Sequence, residues 1–177
     1  MHKNTSRKLL ILIVCLVALP VLAVCCLGSV IVGSLFFTQR SVAQTSNQPV
    51  SPYIAVARQE AINVGIPPDL FVRQINQESG FNPRALSPSG AEGIAQFMPD
   101  TAASLGIDPW NPKEALRGAA QLMAHYAKMF DGTYAKALAT YNAGAGTVQH
   151  AIDVCGEAHW MDCLLSETQQ YINIIMG

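Results

Sequence analysis

From Leu9 to Phe37 the chain carries no charged residue, and Leu, Val and Ile dominate the run. Few features restrict a polypeptide more. The stretch exceeds the roughly 20 residues needed to cross a bilayer, and Pro20 allows it to bend. Lys3, Arg7 and Lys8 precede it with no acid among them. The positive-inside rule therefore puts residues 1–8 in the cytoplasm and everything after Arg40 on the far side. A cleaved signal peptide ending near Ser41-Val42-Ala43 is the alternative, but its apolar region would far exceed the usual span of about 7–15 residues. A lipoprotein signal at Leu22-Ala23-Val24-Cys25 fits poorly, because Val24 is not small. Ser29 and Gly33 form a small-xxx-small pair of the kind that packs membrane helices together. The expectation is a single-pass cell-membrane protein, with its anchor over 9–37, a polar linker over 38–51 and one extracytoplasmic domain over 52–177.

All 12 acids follow residue 50, whereas Lys3, Arg7, Lys8 and Arg40 take four of the 11 basic residues away from the outer domain. That domain is mildly acidic and has no basic stripe to neutralise phosphates, which argues against a nucleic-acid partner.

Helical periodicity runs through the outer domain without convincing strand alternation. Ser51-Pro52 opens a helix that Gly65 closes, and Pro68 to Ser79 forms a second. Ser87 to Phe97 is rich in Gly, Pro and Ser and predicts a loop or small hairpin. Pro99 to Leu105 predicts a short helix. Asn111-Pro112-Lys113-Glu114 resembles a capping box at the head of a long helix running to about Phe130. Helices follow over Thr133 to Asn142 and Gly146 to Val154, and Ser166-Glu167-Thr168-Gln169 reads as a second capping box. The fold class expected is all-α with one irregular insertion. Many alanines, such as Ala115, Ala119, Ala120 and Ala137, let the helices approach closely.

Within that frame Glu78 stands out, in Ile75-Asn76-Gln77-Glu78-Ser79-Gly80-Phe81-Asn82-Pro83. Gly80 stops the helix and Asn82-Pro83 keeps it from resuming. A carboxylate there faces the negative end of the helix dipole, which disfavours ionisation, and partial burial would add to this. A raised carboxyl suits a general acid near neutral pH. A solvated glutamate in a last turn is the plain alternative.

Three further motifs follow in order: Ser87-Pro88-Ser89-Gly90-Ala91-Glu92-Gly93-Ile94-Ala95-Gln96-Phe97-Met98-Pro99, then Tyr141-Asn142-Ala143-Gly144, then Glu167-Thr168-Gln169-Gln170-Tyr171. Together with the Glu78 segment they resemble the soluble lytic murein transglycosylases, relatives of goose-type lysozyme, over about Ile54 to Ile175. The resemblance implies a lysozyme-like helical domain in which Glu78 is the catalytic acid and Ser79 its companion. It implies groove contacts from Ser87, Gln96 and Met98, with Tyr141 and Asn142 lining the cleft. Glu167 and Tyr171 would belong to a closing motif that supports the site. Ala95 and Thr140 depart from the family's usual residues in ways that bear on groove shape.

The implied reaction cuts the MurNAc–GlcNAc bond of peptidoglycan and leaves a 1,6-anhydromuramyl end. One acid with a raised pKa can serve it, whereas ordinary glycosidases need two carboxylates. No metal or other cofactor is implied. A hydrolase on the same fold and a non-catalytic glycan-binding module are the alternatives. The larger system served would be a secretion or conjugation machine of the envelope, a phage apparatus, or general wall remodelling. Glu92, Asp100, Asp131 and His125 read as ordinary solvated, helix-end or surface residues.

Cys15, Cys25 and Cys26 lie in the apolar run and read as small hydrophobes. Cys155 and Cys163 lie beyond it, where oxidation is permitted in many compartments. On one continuous helix their Cα atoms would be about 12 Å apart, too far for a disulfide. A bend at Gly156 would permit one. A metal site using His150, Cys155, His159 and Cys163, or free thiols, are the other readings, although that spacing matches no common zinc pattern.

Overall fold

Prolines and glycines bracket the helices. In the computed structural model, which describes residues 51–177, the elements are α1 (Tyr53–Val64), α2 (Pro68–Ser79), α3 (Pro99–Leu105), α4 (Pro112–Met129), α5 (Tyr134–Ala143) and α6 (Ala145–Cys155). A 3-10 helix (Trp160–Cys163) and α7 (Ser166–Met176) follow. Proline occupies the first position of α2, α3 and α4, where its missing N–H is no loss. The expected membrane segment, its flank 1–8 and nearly all of the linker lie outside the described residues. Among the described residues no helix is long and apolar enough to cross a membrane, and no strand is present.

The first expected capping box forms with a variation. Asn111 Oδ1 accepts from the backbone N–H of Lys113 and Glu114, while Glu114 accepts from the Asn111 side chain and from the backbone of Asp108. The second is not formed. Ser166 sits at the first helical position, Leu165 takes the cap, and the Gln169 amide turns back to the Leu164 carbonyl at 2.9 Å. Entry from the 3-10 helix moves the register by one residue, which leaves the hydroxyl out of capping position.

Helix α1 packs on α2 and α4, α5 on α4, α6 and α7, and α2 on α7. Ala57, Ala61, Ala115, Ala119, Ala120 and Ala137 are fully buried, so the helix axes come close. Phe71, Ile75, Leu116, Leu138 and Ile172 fill the core, each worth roughly 1.5–3 kcal/mol of burial. On α7 the buried residues are Thr168, Tyr171, Ile172 and Ile175, a single face at helical spacing. That face presses on α2, and Arg73 of α2 donates to the Ile175 carbonyl at 2.5 Å. A cation there suits the negative end of α7.

The segment expected as loop or hairpin is a compact double turn. Isolated antiparallel bridges pair Leu86 with Glu92 and Glu92 with Phe97. Gly93 fixes where it lies: φ is +71°, and a Cβ there would stand 1.9 Å from the Pro109 carbonyl oxygen. No other residue fits so near backbone.

Cys155 and Cys163 are disulfide-bonded, with Cα atoms 6.3 Å apart. The chain turns at Gly156 and re-enters as the 3-10 helix, so the two cysteines do not share one helix.

Candidate active site

Helix α2 ends by delivering Glu78 and Ser79. Gly80 and Phe81 then both adopt left-handed backbone, with φ of 60° and 61°. Phe81 is a strained choice, worth on the order of 1–3 kcal/mol, offset by burial of its ring in the core. This reversal turns the chain away at once and leaves the Glu78 carboxyl at a helix tail facing α5 and α7.

Three helices and the double turn converge on that carboxyl. Tyr171 is buried and donates its hydroxyl to Glu78 Oε1 at 2.5 Å. A cavity of about 270 Å³ is lined by Glu78, Ser87, Gln96, Met98, Tyr141 and Asn142, joined by Glu167. A second, of about 260 Å³, has Glu78, Asn142, Glu167 and Tyr171 among its walls. A third, of about 240 Å³, again includes Asn142 and Glu167. The three therefore meet at Asn142 and Glu167 and together describe a groove, with Glu78 between the first two. No residue lining them is basic.

Burial raises the Glu78 carboxyl from 4.5 to about 7, against a smaller lowering by the Tyr171 hydroxyl. Desolvation disfavours the charged form, while a hydrogen bond donated to the carboxylate favours it. Burial is the main cause that lifts this acid. Burial also pushes the Tyr171 and Tyr141 phenols well up, and the nearby Glu78 charge adds to both.

Several side chains expected to touch substrate also hold the site together. Ser79 donates to the Ile94 carbonyl at 2.6 Å and so clamps the end of α2 to the double turn. Tyr141 donates to the Ala95 carbonyl at 2.7 Å, with its ring 6.1 Å from that of Phe97. Ser87 Oγ accepts from the Ala91 N–H at 2.8 Å and lies 2.9 Å from Ser89 Oγ. Gln96, itself at φ 52°, turns its amide hydrogens to the carbonyls of Gly93 and Ala85. Asn142 Oδ1 accepts from Thr168 at 2.8 Å, which leaves its NH2 available to the groove. Met98 is 46% exposed and offers an apolar wall.

Ala95 and Thr140, expected to alter groove shape, line none of these cavities. Both side chains are buried, and the Thr140 hydroxyl bonds back to the Lys136 carbonyl. Two contributors were missed from sequence, Thr168 and the Ala95 carbonyl. Thr168 stands three residues before Tyr171, so one helix face carries both; that spacing was the available signal. Glu92 lies outside both cavities that Glu78 lines.

A larger cavity, of about 680 Å³, includes Phe130, Lys136, Gln149 and Glu157 and holds none of the expected site residues. Volume alone does not make it the site. Its buried cation, Lys136, is already paired with Glu157 and lies over the rings of Phe130 and Trp160.

The family model described as the Transglycosylase SLT domain matches residues 55–159. The chain belongs to this family. Membrane-bound lytic murein transglycosylase D of Escherichia coli (strain K12) is 35% identical over 107 residues, covering 54% of this chain and 24% of that protein. Membrane-bound lytic murein transglycosylase F of Pectobacterium atrosepticum is 39% identical over 75 residues, 38% of this chain and 16% of that protein. The SLT-domain chain thus spans about a quarter, or less, of the length of these relatives. Among solved structures, an inactive mutant of lytic transglycosylase Slt from Pseudomonas aeruginosa superposes with a TM-score of 0.62 at 27% identity, over 71% of this chain and 23% of that one. This SLT domain shares the helical, lysozyme-like fold of that enzyme.

Proposed function

We propose that this protein is a membrane-anchored peptidoglycan lytic transglycosylase that cleaves the MurNAc–GlcNAc β-1,4 bond and leaves 1,6-anhydromuramic acid ends. The observation that carries the reading is Glu78, a carboxyl lifted to about 7, held by Tyr171, on the wall of a polar groove. Near pH 7 such a group is about half protonated and can both give and accept a proton.

In the first half of the reaction Glu78 donates its proton to the glycosidic oxygen as the C1–O bond breaks. The substrate's N-acetyl oxygen stabilises the positive charge that develops at C1. In the second half ionised Glu78 takes the proton of the muramic acid 6-hydroxyl as O6 bonds to C1. No water enters, and the acid returns to its starting state. Asn142, Gln96 and the hydroxyls of the double turn orient the sugar, and Met98 gives it an apolar surface. Anchoring rests on Leu9–Phe37 and agrees with the membrane-bound names of two relatives. A role in a secretion or conjugation machine fits an enzyme held beside the wall.

Glu167 supplies the one observation favouring a hydrolase, since it lines the same cavities as Glu78, and hydrolysis calls for a second carboxylate. Product mass separates the two, anhydro ends being one water lighter. Digestion of purified peptidoglycan by the full chain should give anhydro ends, and Glu78→Gln should abolish lysis while leaving glycan binding measurable. Lysis by Glu78→Gln equal to wild type refutes the assignment.

A further inference from the structure

Gln74 lies in the middle of the apolar face that α2 turns toward α7 and is wholly buried. Neither its Nε2 nor its Oε1 has a hydrogen-bond partner among the described residues. That is unusual, because buried polar groups in folded proteins are nearly always bonded. Gln74 stands four residues before Glu78 on one helix, so the two side chains rise from the same face. The amide lies against the Tyr171 hydroxyl without completing a bond to it. That hydroxyl has one hydrogen, committed to Glu78 Oε1, and lone pairs that remain open to a donor.

We infer that Gln74 is a positioning residue for the acid: when Glu78 is ionised, Gln74 Nε2 donates to the Tyr171 oxygen and locks the Tyr171 hydrogen onto Oε1. The inference rests on the reading of Glu78 as the acid. A chain of N–H to O–H to carboxylate polarises along its length, so the second bond strengthens the first. It favours the charged state, in which Glu78 must wait to take a proton back. The neutral acid needs no such help. Buried Gln74 touches no substrate in this scheme; it acts through Tyr171.

The titratable groups facing Glu78 are Tyr171 and Glu167 from α7 and Tyr141 from α5, with Tyr126 of α4 behind Tyr141. The double turn presents only non-titrating side chains, including Ser87, Gln96 and Met98. Among the described residues, Gln74 is the fully buried amide set to bias the Tyr171–Glu78 pair from inside the core.

The test is the pH profile of lysis by the full chain carrying Gln74→Met, alone and combined with Tyr171→Phe. Gln74→Met should move the basic limb of kcat/KM upward by roughly half to one pH unit, a three- to tenfold change in proton affinity. Plateau kcat should fall by a similar factor while KM stays within about twofold. In the Tyr171→Phe background the Gln74→Met shift should vanish. An unchanged midpoint with a higher Tm identifies a packing role only and overturns the inference. So does an equal shift in both backgrounds, which would mean that local polarity acts without Tyr171. Should the variant not fold, a carbon-13 titration of the Glu78 carboxyl in Gln74→Leu gives the same decision. If Glu78→Gln lyses peptidoglycan normally, the reading beneath the inference fails and takes it along; inactive Glu78→Gln beside an unmoved Gln74→Met profile sinks the inference alone.

Discussion

Tyr171 and Glu78, 93 residues apart in the chain, meet through a 2.5 Å hydrogen bond in which the phenol donates to Oε1. The bond opposes burial: one favours the carboxylate and the other the acid. Their balance near 7 lets one group serve in both directions of proton transfer.

Removing the hydroxyl should tip that balance. In Tyr171→Phe, burial acts unopposed, and the Glu78 carboxyl rises further. The basic limb of the kcat/KM profile should move up by about half to one unit, since a hydrogen bond of this kind is worth roughly 1 kcal/mol or somewhat more. Rate–pH profiles on purified peptidoglycan read this directly. A basic limb at or below the wild-type position would contradict the balance described.

Glu78 also leaves a mark on stability. Its folded value, about 7, exceeds the ordinary 4.5, so the folded state holds a proton that the unfolded state releases. The stabilising contribution is complete below about 4.5 and is lost as pH rises through about 7. Glu78→Gln, which cannot ionise, should be more stable than wild type at pH 8, with the gap narrowing toward pH 5. Denaturant midpoints at the two pH values check the sign.

Ser79 ties the acid's helix to the double turn through the Ile94 carbonyl. Its only hydrogen is committed there, so Ser79→Ala should act through the placement of the acid and not through sugar binding. The expectation is a loss of kcat of about tenfold, or roughly 1.4 kcal/mol, with KM nearly unchanged. A rise in KM at constant kcat would instead place Ser79 among the substrate contacts.

The Cys155–Cys163 bond closes a short loop, eight residues in separation, and steadies the turn that carries Glu157 and Trp160. Chain-entropy arguments give about 2.5 kcal/mol for a loop this size. Cys155→Ala with Cys163→Ala should lower stability by about 2 kcal/mol. Lysis well below the melting temperature should be retained, because neither cysteine lines the groove around Glu78. Thermal melts and lysis assays on the same preparation separate the two effects.

Much of this architecture was readable from local chemistry. Pro68, Gly80, Pro99, Gly106, Asn111 and Pro112 mark helix ends through backbone rules that need only their near neighbours, and α2 and α3 fall where those residues predict. The four ordered motifs likewise picked out Glu78, Gln96, Tyr141, Asn142 and Glu167, which one groove assembles. The Ser166 box misled because a sequence of capping type says nothing about the direction from which the chain enters the helix.

Other features had no local signature. Gln74 reads as an ordinary polar helix residue until α7 covers it. Thr168 reads as part of a cap until it is found holding Asn142. The lift of the Glu78 carboxyl is a desolvation effect, so it depends on every element packed around that oxygen at once. Residue type and spacing act along the chain and can be read there. Burial and the 93-residue reach from Tyr171 to Glu78 act across it, and they exist only once the helices have closed.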